Sequence, residues 1–418
     1  MTLLVQCRLA VSFFFFIVVS LAPFRQLSFA KESVFPVLSG LEEAVEFWKQ
    51  IFTRFGSNEV VFFDPMDPGK IYSVLRVPEN DTGRVIIDRE QARIVADYEL
   101  NEDGRVRSQR GAKEQFHSGL KMAGRYLSQI QKIFREEGLP PALAYLPLVE
   151  SSFNVRARSA AGAVGMWQFM TDTGRKFLLI NDAIDERRDP YASSRAAARL
   201  LKENYRLLGN WPLAITAYNH GTEGIFRGIN TVGSRNLVEI IRRYESPTFG
   251  FASKNFYAEF LAAVEVATNS EAYFPFLRPH RPWTFREVEV KRRVLVNSLL
   301  TPTAISHNDF FEWNPALEPT TRYLPLGYRV KLPPEKLESF VAAQRRIGDM
   351  RPSNKTAAPT KPRSAPSRIT HPPEVRAKTP GRKTTRTAAG ALRQTQPATS
   401  SAKPPSKKPV ATSASAPR

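Results

Sequence analysis

The 418-residue chain contains a single cysteine, Cys7, and only five histidines: His117, His220, His280, His307 and His371. One thiol excludes a disulfide framework and any cysteine-rich zinc site. The scattered histidines give no metal-ligand spacing and no Ser–His or Cys–His nucleophile pair, so neither a metal nor another cofactor is expected. Long apolar runs are scarce too. The run from Leu9 to Ala22 covers about 14 residues, too short to cross a bilayer comfortably. It follows Arg8 and precedes the small-x-small pattern Ser28-Phe29-Ala30, which predicts a signal peptide over residues 1–30. Cys7 lies ahead of the apolar run, so it is not a lipid-attachment site and leaves with the signal.

Acidic and aromatic residues run out near the C-terminus. From Arg351 onward there are 15 Lys/Arg, one acid (Glu374), 12 of the 32 prolines and no Phe, Trp or Tyr. Such a stretch cannot bury enough apolar surface to offset its ordering entropy, and a disordered basic tail is expected over 345–418. That tail carries about +14 of the formal net charge of +20. The excess alone would suggest a nucleic-acid partner. An exported chain with its charge in a tail suggests instead a loose, salt-sensitive attraction to an anionic envelope surface, and no nucleic acid is expected.

What is present is a hydrophobic fraction of 42% with 28 Phe, enough for real cores. Residues 31–105 read as a small α+β region. An amphipathic helix from Leu41 to Phe55 is followed by short strands at Val60–Phe63, Tyr72–Val77 and Val85–Ile87. Residues 106–278 read as helical almost throughout. Lys113–Glu136 carries one apolar face, Pro140-Pro141 opens a helix from Ala142 to about Ser151, and Ser193–Leu208 stops at Gly209. Pro212–Tyr218 and Asn255–Thr268 continue the series. Residues 285–336 predict a βααβ unit with strands at Val288–Val290 and Tyr328–Leu332 and helices at Thr303–His307 and Asp309–Trp313. A unit this small is expected to dock on the helical domain.

Glu150 is the first candidate for chemistry. It closes an apolar helix, where partial desolvation raises a carboxyl's pKa and keeps it protonated near neutrality, as a glycosidic general acid requires. On position alone, an ordinary helix-end carboxylate is the commoner outcome. Small residues in Ser159–Met170 allow close backbone approach, and Gln168 offers an amide for sugar hydroxyl or acetamido groups. Trp167 suits either a sugar platform or a core position. Asp185, Glu186 and Asp189 sit among Arg187 and Arg188 ahead of a helix and read as salt-bridging and capping residues.

Glu150-Ser151, Gly165-Met166-Trp167-Gln168 and Ala217-Tyr218-Asn219-His220-Gly221, in that order and spacing, resemble the three motifs of the family 1 lytic transglycosylases. These carry the SLT domain of the goose-type lysozyme superfamily, and the Asp185–Pro190 block adds to the resemblance, which covers about residues 110–275. It implies a mainly α, lysozyme-like fold that acts on peptidoglycan glycan strands. By the same resemblance Glu150 is the single catalytic acid/base, giving a 1,6-anhydro product. Ser151, Gly165, Met166, Gln168, Tyr218 and Asn219 match substrate-binding positions, and Tyr257 matches a tyrosine of the last core helix near the cleft. Two positions depart from the family pattern: Val164 stands where serine is frequent, and His220 where a small residue is usual. Residues 285–336 resemble a degenerate LysM glycan-binding module that lacks the usual Gly-Asp turn. The expected setting is the periplasm or envelope of a Gram-negative bacterium, as a monomer. A hydrolytic muramidase on the same fold and a non-catalytic cell-wall or polyanion-binding protein remain as alternatives.

Overall fold

The computed structural model describes residues 34–78, 83–100 and 105–349. The signal peptide expected at 1–30 and the basic tail expected beyond Asp349 lie outside these residues. Helix α1 (Glu42–Thr53) buries Val45, Phe47, Trp48, Ile51 and Phe52. A hairpin of β1 (Glu59–Asp64) and β2 (Asp67–Arg76) comes next. Residues 84–97 then form α2 (Arg84–Asp97), in place of the strand expected at Val85–Ile87. Those three apolar residues are succeeded by Asp-Arg-Glu-Gln-Ala-Arg, mostly strong helix formers, and only Ile94 of the helix is buried. The third strand is β3 (Arg107–Arg110), which completes an antiparallel sheet of order β2-β1-β3. Its Arg-Ser-Gln-Arg sequence has no alternation that would betray a strand. It forms because β1, with Val60 to Phe63 all buried, needs hydrogen-bond partners on both edges.

Helix α3 (Lys113–Glu136) occupies the span that its periodicity predicts and buries Phe116, Leu120, Ala123, Tyr126, Ile130 and Phe134. The segment expected as one helix from Ala142 to Ser151 is split into a 3-10 turn, Pro141–Tyr145, and α4 (Leu146–Ser151). Pro147 has no N–H to give the Leu143 carbonyl, so the α ladder cannot run through. A short α5 (Thr171–Gly174) leads to a 3-10 turn, Glu186–Arg188, and then α6 (Pro190–Leu208), which starts three residues earlier than expected. Asp189 sets that start, because its carboxylate accepts from the backbone N–H of Tyr191 and Ala192. Next come α7 (Trp211–His220), α8 (Thr222–Val232), α9 (Leu237–Arg243), α10 (Phe251–Thr268) and α11 (Ser270–Tyr273). Helix α10 is central: it packs on α1, α4 and α7, and the Trp48 indole donates to Asn255 Oδ1 at 3.1 Å.

The C-terminal module pairs β4 (Arg286–Glu289) with a later strand and β5 (Val294–Leu295) with another, around α12 (Val296–Leu300) and α13 (His307–Trp313). The partners are β6 (Tyr323–Leu324) for β5 and β7 (Arg329–Leu332) for β4, both antiparallel. The first helix stands earlier than the expected Thr303–His307. Pro302 starts a 3-10 turn after Leu300, Ala304 turns left-handed (φ +48°), and Ser306 caps α13 by accepting from Asp309 N–H. A last helix, α14 (Leu337–Asp349), runs into the segment expected as tail, so residues 345–349 are helical. Phe340 and Ala343 anchor it in the module core.

That module is locked to the helical domain. Ile184 is buried among its core residues, and Asp185 N–H donates to Ala316 O at 2.8 Å. Lys331 Nζ meets Asp189 Oδ2 at 2.5 Å with both side chains buried, Arg188 pairs with Glu318, and Arg125 with Glu312 at 2.7 Å. Burial opposes the Asp189 charge. Lys331 and the two capping N–H groups outweigh it and hold the carboxyl below its usual range. Lys331→Met leaves that charge buried and unpaired. It should lower stability by about 3–5 kcal/mol in urea unfolding, whereas Lys176→Met at an exposed position should change it by less than about 0.5 kcal/mol.

Candidate active site

Glu150 is the penultimate residue of α4 and is 2% exposed. The chain leaves the helix through two successive left-handed residues, Ser152 (φ +53°) and Phe153 (φ +60°). Neither is glycine, so this turn stores strain that the surroundings must hold. Part of the hold comes from Phe153 N–H, which donates to Pro147 O at 3.1 Å. Part comes from α3: a Cβ at Gly119 would stand 2.9 Å from Ser152 Cβ, so a side chain there would push the turn away.

The second sequence motif lies against this turn. Ser151 Oγ donates to Met166 O at 2.9 Å, which ties the end of α4 to the 158–169 loop. Gly165 (φ +82°) could not be another residue, because its Cβ would fall 1.8 Å from Arg187 O. Gln168, also left-handed (φ +49°), donates from Nε2 to Gly165 O at 2.8 Å and so braces the loop from within. Met166 is fully buried. Trp167 is buried as well. Its ring stacks on Phe134 (5.6 Å, 17°) and its Nε1 donates to Ser194 Oγ at 2.9 Å, which makes it a core residue and not a sugar platform. The Asp185–Asp189 turn carries the salt-bridging and capping roles read from its sequence. Arg187 pairs with Asp185 at 2.8 Å and donates to Phe169 O and Thr171 Oγ1, so the same turn also holds the loop.

Tyr218 joins the third motif to the second: its hydroxyl donates to Trp167 O at 2.8 Å. Burial, with Glu150's charge behind it, raises the phenol's pKa, so Tyr218 remains a neutral donor. Asn219 accepts from Ser253 Oγ at 2.8 Å, while its buried Nδ2 has no partner. His220 is 2% exposed, packs edge-on against Phe249 (4.9 Å), and is held neutral chiefly by burial and then by Arg227. Tyr257 is fully buried on α10, the helix that packs against α4. Among the described residues no group of three or more His, Cys, Asp or Glu could hold a metal ion.

Glu150 Oε2 is buried without a hydrogen-bond partner. Burial pushes this carboxyl well above its usual range, and the charge of Glu259 adds to the shift. Glu259 stands half-buried on α10 and is itself pushed up to about 8 by burial. Once Glu259 is ionised, its charge adds to the hold that burial has on the Glu150 proton. Sequence reasoning found no second acid near the motifs and missed Glu259. The available signal was one carboxylate inside the apolar run Phe256-Tyr257-Ala258-Glu259-Phe260-Leu261.

Residues 128–240 match the Transglycosylase SLT domain family, in agreement with the resemblance carried by the three motifs. The chain is 30% identical over 180 residues to the membrane-bound lytic murein transglycosylase D of Escherichia coli (strain K12), across 42% of this chain and 39% of that protein. It thus spans about two fifths of the length of the transglycosylase D relatives it matches. Among solved structures it is similar to an inactive mutant of the lytic transglycosylase Slt of Pseudomonas aeruginosa, with 19% identity, a TM-score of 0.31, and coverage of 48% of this chain and 32% of that one.

The raised carboxyl on Glu259 has a consequence for stability. From the ordinary glutamate value of 4.5 up to about 8, the unfolded chain has released this proton and the folded chain has not. Stability therefore falls as pH rises through that window. Glu259→Gln should flatten the fall, read as the difference in urea midpoint between pH 5 and pH 8.

Proposed function

We propose that this chain is a peptidoglycan lytic transglycosylase that cleaves the β-1,4 bond between MurNAc and GlcNAc and leaves a 1,6-anhydroMurNAc end. The observation that carries the reading is the buried Glu150 carboxyl, its Oε2 without a partner and its pKa pushed up by burial, beside the hydrogen bonds that join the three motif segments. A carboxylic acid that keeps its proton at neutral pH can donate it to a glycosidic oxygen. In this scheme the bond from the anomeric carbon to the leaving oxygen breaks as Glu150 gives up its proton. The resulting carboxylate then takes the proton of the MurNAc 6-hydroxyl as that oxygen closes on the anomeric carbon, and Glu150 ends as it began.

The other motif residues shape the place where this happens. Tyr218 and Asn219 come from the last turn of α7, with the free Asn219 Nδ2 a donor for a substrate oxygen. In this reading the hydrogen-bonded segment with Ser151, Gly165, Met166 and Gln168 would wall the substrate site, and Tyr257 would back it from α10. The name of the E. coli relative, a membrane-bound murein transglycosylase, supports an envelope location. The signal-like segment 1–30 would export the chain, the 15 basic residues from Arg351 onward would draw it to anionic envelope surfaces, and residues 285–336 would serve as a degenerate LysM-like module.

Glu259 favours a second reading, hydrolysis. Once ionised, above about pH 8, its carboxylate is the kind of second group with which a glycosidase activates water. Digestion of purified sacculi followed by mass spectrometry separates the two. Anhydro-muropeptide ends support transglycosylation, reducing ends mean hydrolysis, and no release by the wild-type chain overturns both. Glu150→Gln should lower release by at least about a thousandfold while sacculus binding persists. Activity needs the Glu150 proton, so it should fall on the alkaline side. Glu259→Gln removes the charge that holds this proton and should move the alkaline limb to lower pH in a pH–rate profile.

A further inference from the structure

Outside the acid site, a second cleft opens where the helical domain meets the C-terminal module. Its volume is about 300 Å³, at the small end of ligand pockets. One wall is Arg125 on α3, another is the strap 281–284, and the third comes from the module with Glu312, Trp313 and Glu335. The strap is fixed to α3 by two backbone hydrogen bonds, His280 N–H to Lys121 O (2.9 Å) and Trp283 N–H to Arg125 O (3.0 Å). The module is fixed by the buried Asp189–Lys331 pair. The walls are therefore preformed.

Their chemistry is specific. Trp283 is clamped as a plate, stacked on Tyr191 (6.2 Å, 18°) and leaning on Phe285 (4.8 Å, 30°). Its indole N–H is buried without a hydrogen-bond partner. Trp313 is half-buried and offers a second indole. Around them stand two guanidinium groups, Arg125 and Arg281, and two carboxylates, Glu312 and Glu335. The charges balance, so the cleft has no net attraction for a polyanion. Apolar rings beside forked donors and acceptors suit a neutral, polyhydroxylated ring, which has apolar faces and a rim of hydroxyl groups.

We propose that this cleft is a second carbohydrate site that holds an uncharged stretch of β-1,4-linked amino-sugar strand; the choice of sugar rests on the transglycosylase reading above. The cleft is near the acid. Gly119 touches the turn after Glu150, and Tyr126, which also lines the cleft, stands seven residues further on the same face of α3, about 10 Å along the axis. One oligosaccharide strand could engage the acid site and this cleft together, as a tethered pair of sites gains avidity.

The test uses the full chain carrying Glu150→Gln, so that no probe is cleaved, and chitotetraose as the neutral β-1,4 probe. Binding is followed by calorimetry and tryptophan fluorescence. Adding Arg281→Ala and Glu335→Ala, both at exposed positions, should weaken binding of one equivalent at least fivefold with no change in melting temperature. Trp313→Phe should weaken it less than Trp313→Ala. An isotherm indifferent to the Arg281/Glu335 pair overturns the proposal, and so does a cleft that prefers dextran sulfate to chitotetraose. Sacculus digestion by the otherwise wild-type chain reports separately on the transglycosylase reading, so either idea can fail while the other stands.

Discussion

One carboxylate, Asp189, serves two halves of this molecule at once. It caps α6 through the N–H groups of Tyr191 and Ala192, and it forms the buried pair with Lys331 that seats the C-terminal module. The turn that delivers it does more. Arg187 reaches Phe169 O and Thr171, its carbonyl fills the space beside Gly165, and Arg188 pairs with Glu318. The loop behind the acid, the start of α6 and the module therefore share one set of buried ions. Each alone would cost desolvation, and together they satisfy one another.

The acid site works in the opposite way. Glu150 Oε2, Asn219 Nδ2 and His220 Nε2 are buried without partners, and Ser152 and Phe153 hold left-handed backbone. Each unmet polar group costs about 1–3 kcal/mol, and each strained residue a similar amount. A large apolar surround offsets this, with Phe134, Phe153, Trp167, Phe256 and Phe260 all fully buried. In the proposed reaction, lack of partners would leave these groups available to a substrate, and burial favours the protonated form of Glu150.

Much of this was legible in the sequence, for physical reasons that differ by element. Helix α3 declared itself by a 24-residue periodicity, and Asp189 by its place before a proline and an apolar-periodic run. Glu150 and Gln168 were legible in the sequence with a chemical rationale, Ser151 and Tyr218 only through the family resemblance. Val85–Ile87 misled because three β-prone residues masked the helix-forming stretch from Asp88 to Asp97 that draws them into α2. Strand β3 was invisible because its pairing is dictated by β1 and not by its own side chains. Glu259 escaped for a related reason: its meaning arises only when α10 is laid against α4, a contact between distant parts of the chain. The cleft at the module junction likewise combines α3, the strap and α13, and no local pattern announces such a meeting.

The central position of α10 bears on how far this fold can be cut and moved. The segment that matches the SLT family ends at residue 240, before α10 begins, and it starts part-way along α3. Yet α10 is the floor on which α4 rests, and α1, from the far N-terminal region, covers its other side through the Trp48–Asn255 bond. The family segment is therefore a chemical signature and not a portable part. Grafting it into another protein would transplant Glu150 without the helix packed against α4, so the flanking helices have to travel with it as a single cargo.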